Sequence, residues 1–253
     1  VRLYDSHSHL DAPEFEADRE AVIGRAEAVG VMQQLVPAVA FQAWPALKAT
    51  CALRPGLKAA YGLHPMVLAE HRPEHLDALP DWIERERPAA VGECGLDFFV
   101  EGLDPESQRR YFVRQLEIAR DFGLPVVLHA RRAVDEIIAT IRRIGGLRGV
   151  VHSWSGSEEQ AAQLYRLGFS LGIGGPVTFE RAQRLRRTVA TMPIEHLLLE
   201  TDSPDQPDAT RRGQRNEPAF LVDVLREVAR LRGEDESVVA EATRRNAEAL
   251  FGA

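Results

Sequence analysis

The chain has only two cysteines, Cys51 and Cys94, and they form no Cys-x-x-Cys pair. That is too few for a disulfide framework, so two unbridged thiols and a reducing, cytoplasmic home are expected. No apolar run approaches the length of a membrane span and no basic-then-apolar leader opens the sequence, so no membrane partner is expected either. Positive charge is also short: 31 Lys and Arg stand against 38 Asp and Glu, a formal net charge of −7. A protein that holds nucleic acid over its surface needs a basic footprint, and non-specific duplex binding should therefore be weak. A phosphate substrate stays open, because divalent cations reverse the field inside a carboxylate-lined cleft. Nucleotide loops of the G-x-G-x-x-G or G-x-x-x-x-G-K-[ST] type are absent too.

What the sequence does contain is a regular alternation. Apolar-rich strand candidates at 3–9, 34–39, 57–64, 89–95, 124–129, 149–152, 169–174 and 197–201 are separated by helix candidates. The helices are expected over 18–29, 43–51, 73–86 with a break or reshaping near Pro80, 105–122, 133–144, 157–166, 179–191, 219–231 and 235–251. Strands that are apolar throughout, rather than alternating, are covered on both faces, and eight such units are what closing a barrel requires. The fold class expected is α/β, a (β/α)8 TIM barrel formed as one domain over residues 1–253. An open doubly wound sheet is the alternative. A monomer, or at most a small oligomer, is expected.

In such a barrel the chemistry sits where the strands end. His7 and His9 close the first strand candidate, and the two-residue period of an extended chain would send both imidazoles to one side. An H-x-H pair alone is as well explained by one packed and one solvated histidine. Here, however, the third strand ends at His64, the fourth at Glu93, the fifth at His129, the sixth at His152, and the eighth carries Glu200 and Asp202. His71, His75 and His196 fall on or beside helices and read as structural or solvated. Imidazoles with carboxylates suit Zn, Fe, Ni, Co or Mn. The metal-ligand set His7, His9, Glu93, His129, His152 and Asp202 exceeds what one tetrahedral ion needs, so two divalent ions are expected, with Zn, Mn or Mg as candidates. Glu93 is the natural bridge; His7, His9 and Asp202 would hold one ion, His129 and His152 the other. No carbamylated lysine is indicated, since Glu93 occupies the bridging place.

The same residues lie in ordered blocks: Asp5-Ser6-His7-Ser8-His9-Leu10-Asp11, Gly62-Leu63-His64-Pro65, Gly92-Glu93-Cys94-Gly95-Leu96-Asp97, Pro125-Val126-Val127-Leu128-His129, His152-Ser153-Trp154-Ser155-Gly156 and Leu199-Glu200-Thr201-Asp202-Ser203-Pro204. With Arg215-Asn216-Glu217-Pro218 and Asn246 near Phe251, the whole chain resembles the TatD family of metal-dependent hydrolases within the amidohydrolase-type barrels. Two departures stand out. Ser8 occupies a place where many relatives have Cys, and Asp205-Gln206 follow Ser203-Pro204 where a Tyr-Leu pair is common. The second departure, with Trp154, is similar to one uncharacterised subgroup of that family.

The resemblance implies a divalent-metal-dependent deoxyribonuclease, often exonucleolytic, with DNA or a small phosphodiester as substrate and the six residues above as metal ligands. Asp202 is then the expected general base for an attacking water. His64, whose family counterpart lies near the substrate, is expected to contact a phosphate or leaving group. Arg131 or Arg132 should reach a phosphate oxygen, since a guanidinium offers several fixed donors. Arg131, Arg132, Arg211, Arg212 and Arg215 are candidates for a basic groove leading to the metals. Glu200 is expected to orient a ligating histidine, Asp97 and Asp11 to stand behind the ligands or at the rim, and Asn216, Glu217 and Pro218 to brace the loop. The competing functions are hydrolysis of a small phosphoester, ester or cyclic amide on the same two-metal centre, and a binding module that kept the barrel without its chemistry.

Overall fold

The computed structural model describes residues 1–253. Eight parallel strands run in sequence order around a barrel: β1 Leu3–Asp5, β2 Val31–Pro37, β3 Leu57–Tyr61, β4 Ala90–Asp97, β5 Val126–Arg131, β6 Gly149–Val151, β7 Phe169–Ile173 and β8 Leu197–Leu199. The helices between and after them are α1 Arg19–Ala28, α2 Trp44–Cys51, α3 Pro73–Glu86, α4 Pro105–Phe122, α5 Val134–Ile144, α6 Glu158–Arg166, α7 Gln183–Thr191, α8 Leu221–Arg232 and α9 Glu236–Phe251. This is the expected (β/α)8 barrel. No helix is long and apolar enough to cross a membrane.

Local chemistry sets the helix ends. In α4 the Asp104 side chain accepts from Ser107 N, Pro105 opens the first turn, and Gly123 takes the left-handed conformation at the stop. The expected break at Pro80 does not occur, and α3 runs through it. The helix expected from 179 begins instead at Gln183, after a short 3-10 turn at Gly175–Thr178 and an irregular stretch.

Between β1 and β8 the ladder is replaced by single bonds. Ser6 N donates to Leu199 O at 2.9 Å and Asp202 N to His7 O at 2.8 Å. The buried Asp5 carboxylate completes the seam, accepting from Thr201 N at 2.9 Å and Thr201 Oγ1 at 2.6 Å. The two strand ends that carry His7, His9 and Asp202 are thus fastened to each other.

One apolar layer takes a residue each from seven strands: Tyr4, Leu35, Ala60, Ala90, Val127, Val150 and Leu198. Phe251 of α9 packs against it, with its ring 6.3 Å from that of Tyr4. Two residues after Val127, Val150 and Leu198 come His129, still on β5, and His152 and Glu200, each one residue past the end of β6 or β8 and in step with the strand's alternation. β1 and β4 break this parity. β1 ends at Asp5, so His7 and His9 lie beyond the strand and not on it, contrary to the two-residue argument. In β4 the pairing with β5 shifts between Val91 and Cys94, and such an irregularity re-aims a side chain. Glu93 enters the mouth through that shift.

Gly95 lets β4 and β5 approach beside the site. A Cβ there would lie 2.0 Å from His129 O, and the backbone has φ of 149°. Gly95→Ala should therefore cost about 1–3 kcal/mol, read as a lower midpoint in denaturant, because a rigid backbone has to yield. An unchanged midpoint would contradict this packing.

Candidate metal centre

The mouth gathers all six residues expected as ligands. His7 Nε2 lies 3.2 Å from His9 Nε2, 3.1 Å from Glu93 Oε2 and 3.4 Å from Asp202 Oδ1. His9 Nε2 is 3.5 Å from both carboxylate oxygens. On the other side of Glu93, Oε1 lies 2.7 Å from His152 Nε2, 3.2 Å from His129 Nδ1 and 2.9 Å from His64 Nε2. His152 Nε2 and His129 Nδ1 are 3.4 Å apart.

Separations of this size fit a cation. With bonds of about 2.0–2.1 Å, the edge of a tetrahedron around zinc is about 3.3 Å. Glu93 Oε2 is buried and makes no hydrogen bond despite its near neighbours. The Nδ1 atoms of His7, His9 and His152 are likewise buried without a partner, which leaves their Nε2 atoms facing the cluster. By their distances, two donor sets sharing Glu93 could each hold an ion: His7, His9 and Asp202 with Oε2, and His129 and His152 with Oε1; His7 also groups with Glu93 and His152, and His64 with Glu93 and His129.

Neighbouring groups decide which nitrogen each ring presents. Asp97 Oδ2 stands 2.8 Å from His129 Nε2, so that nitrogen carries the proton and Nδ1 turns its lone pair to the centre. His64 has the opposite arrangement. Its Nδ1 accepts from Met66 N at 3.1 Å, so in the neutral ring Nε2 is a donor to Glu93 and not a ligand. His71, expected to be merely structural or solvated, is buried and braces His64 through a 2.7 Å contact between its Nε2 and His64 O. His75 stacks on Phe41 and His196 on Tyr165, away from the mouth.

Glu200 differs from its expected role. Its Oε1 is 3.8 Å from His152 Nδ1, too far for a hydrogen bond, and instead accepts from Ser153 N at 2.5 Å. Burial pushes its carboxyl up to about 8. Asp202 is held by a residue that the sequence marked only as a departure: Gln206 Nε2 donates to Asp202 Oδ2 at 2.5 Å. Ser153 Oγ donates in turn to Gln206 Oε1 at 2.9 Å, joining the loops after β6 and β8. Asn216 braces the β8 loop as expected, its Nδ2 donating to Thr201 O and Asp205 O, each at 2.8 Å. Arg19, which sequence reasoning missed, fixes the segment after His9 by donating to Leu10 O at 2.8 Å and Asp11 O at 3.0 Å.

The expected basic groove needs correction. Arg211 is spent on Asp208 and Asp223, and Arg215 on Asp18 and Glu217. Arg131 lines the mouth, its guanidinium 3.8 Å from the centroid of the exposed Phe99 ring. Arg132 lies over the same ring at 4.5 Å but lines a neighbouring hollow. Arg181 and Arg184, which no strand-end argument reached, join Arg131 on the walls of a cavity of about 820 Å³ with the metal-ligand candidates at its floor.

Charge at the floor is finely balanced. Burial alone would push Glu93 up, but the imidazoles of His152, His64 and His7 hold it well below the ordinary carboxylate range. The His7 and His152 rings stack at 3.9 Å; burial and the facing His152 take His7 down to about 4. Burial also opposes charge on His9 and His152, but is outweighed by Glu93 and Asp202, which raise them to about 9 and about 10. A cation can enter only by displacing such protons. Zinc titrated into metal-free protein at about pH 7, in calorimetric buffers of different ionisation heat, should therefore release at least about one proton, and affinity should fall as pH falls. Binding without proton release would contradict this electrostatic balance.

The family model described as TatD related DNase matches residues 4–252. The Escherichia coli protein named uncharacterized metal-dependent hydrolase YjjV is 40% identical over 256 residues, covering 99% of this chain and 98% of that one. Its crystal structure superposes with a TM-score of 0.96 over 100% of this chain and 98% of the other. A protein of Escherichia fergusonii named 3'-5' ssDNA/RNA exonuclease TatD is 32% identical over 259 residues, 99% of each chain. By its family model, its sequence relatives and its barrel, the chain belongs to the TatD-related DNase family.

Proposed function

We propose that the protein is a divalent-metal-dependent hydrolase that cleaves phosphodiester bonds at the end of a DNA strand. The observation that carries this reading is the division of Glu93, whose two oxygens face two separate groups of imidazoles at the floor of one cavity. Two bound ions, taken from Zn, Mn or Mg, would supply Lewis-acid polarisation of a phosphoryl oxygen and acidification of a water.

The chain's own residues suit the remaining tasks. His7, His9 and Asp202 would hold one ion, His129 and His152 the other, with Glu93 shared. Gln206 fixes Asp202 through Oδ2, leaving Oδ1 towards the His7 and His9 imidazoles, and Asp202 serves as general base for the proton of the attacking water. The His64 Nε2–H group can turn its hydrogen bond from Glu93 to a phosphate or leaving-group oxygen, stabilising charge there without giving up its proton. Arg131, held by an aromatic ring and not by a carboxylate, keeps its donors free for a non-bridging oxygen. Metal-ligand candidates set at the bottom of a cavity of about 820 Å³, not on a flat face, suit a flexible strand end better than continuous duplex. The related protein named an exonuclease on single-stranded DNA and RNA supports the same substrate class.

Protein reconstituted with Mg, Mn or Zn should cut single-stranded DNA and lose that activity to chelator. Uncut DNA and RNA alongside turnover of an ester or cyclic amide would give the site to the alternative reading. Asp202→Asn should lower kcat by about 10²–10⁴-fold. Elemental analysis of that variant decides whether the loss is chemical: unchanged turnover at intact metal content would remove Asp202 as base.

A further inference from the structure

Several arginines that do not face the cavity are neutralised within the fold, as Arg186 is by Glu227 and Arg211 by Asp208 and Asp223. Arg181 and Arg184 are different. Both are exposed, and both line the cavity whose floor holds His9, Glu93 and Asp202. Arg184 donates to a carbonyl, Ser155 O, at 2.5 Å, while the Arg181 guanidinium lies 5.2 Å from the centroid of the Phe179 ring. Neither contact supplies a negative charge.

The Arg184 contact also has a topographic consequence. Arg184 and Ser155 together line both the main cavity and a second hollow of about 490 Å³ that contains Arg132 and the start of α5. They form a saddle between the two. A single strand with its end on the cavity floor can leave across this saddle, with free guanidinium groups on the way. Proteins that hold single strands without reading sequence use such cationic grooves to follow the backbone.

On the phosphodiester reading, we propose that Arg181 and Arg184 form a second phosphate subsite, which takes the phosphates next to the scissile one and directs a single strand over the Ser155 saddle. The substrate class is then a single-stranded oligonucleotide, not a lone phosphomonoester or a small neutral ester. The subsite stands at the start of α7, with Arg181 just before the helix and Arg184 in its first turn, outside the six candidate ligands.

The test is binding, not turnover. A fluorescent phosphorothioate oligothymidylate, which keeps its charge but resists cleavage, is titrated by anisotropy against the metal-loaded full chain at several salt concentrations. For single strands, log K falls by about 0.7 per phosphate contact per decade of salt, so the Arg181→Ala/Arg184→Ala pair should flatten the slope by about 1.4. Arg181→Gln/Arg184→Gln should do the same, which guards against a folding defect in the first pair. Arg143→Ala/Arg166→Ala removes equal charge from the last turns of α5 and α6, at the opposite end of the barrel, and should leave the slope unchanged. A slope unaffected by the Arg181 and Arg184 variants, or lowered equally by the distant pair, overturns the proposal. An unmodified strand that is bound with the full slope but never cut would sink the phosphodiester reading and leave the subsite standing. A strand that is cut, with no slope change in the variants, would do the reverse.

Discussion

The site depends on one carboxylate. Glu93 is buried at the floor of the barrel mouth with imidazoles on both of its oxygens, and those rings arrive from the ends of four different strands. An anion in such a place needs compensation, and within the chain the surrounding imidazoles provide it by taking up protons. Cations on either side would compensate it fully, while relieving the close approach of nitrogen atoms such as the 3.2 Å between His7 and His9. The barrel supplies what a single loop could not, because eight strands fastened edge to edge hold donors distant in sequence at separations of about one tetrahedral edge.

Around this centre, polar contacts set direction more than strength. Asp97 makes His129 present Nδ1, Met66 N makes His64 a donor, and Gln206 leaves Asp202 one oxygen for the centre. The buried Asp5 does comparable work below, tying the strand end of His7 to that of Asp202 through Thr201. Outside the cluster, aromatic rings and backbone carbonyls hold the arginines that face the cavity, whereas carboxylates neutralise those that do not. The acidic net charge therefore coexists with a cationic rim.

Much of this was legible in the sequence because barrel strands are apolar throughout and their ends are polar, so position along the chain predicts position at the mouth. The fold and the convergence of His7, His9, Glu93, His129, His152 and Asp202 follow from that pattern. The route was wrong in two places. His7 and His9 are not on a strand, and Glu93 points inward through a register shift that no apolar pattern records. The sequence also could not show which arginines are free, since Arg215 meets Asp18 from 197 residues away. Arg181 and Arg184 were hidden for another reason: they lie where the pattern predicts plain helix, whereas the helix begins only at Gln183 and its first turn, with Arg181 before it, borders the cavity. Gln206 and His71 act through single hydrogen bonds, which leave no periodic trace.

The central claim is that Glu93 joins two cation positions. Anomalous diffraction from crystals equilibrated with Mn or Zn tests it most directly. Two peaks about 3.5–4 Å apart are predicted, one bounded by His7, His9, Asp202 and Glu93 and the other by Glu93, His129 and His152. A lone peak that leaves either oxygen of Glu93 without metal, or peaks away from this carboxylate, would contradict the account.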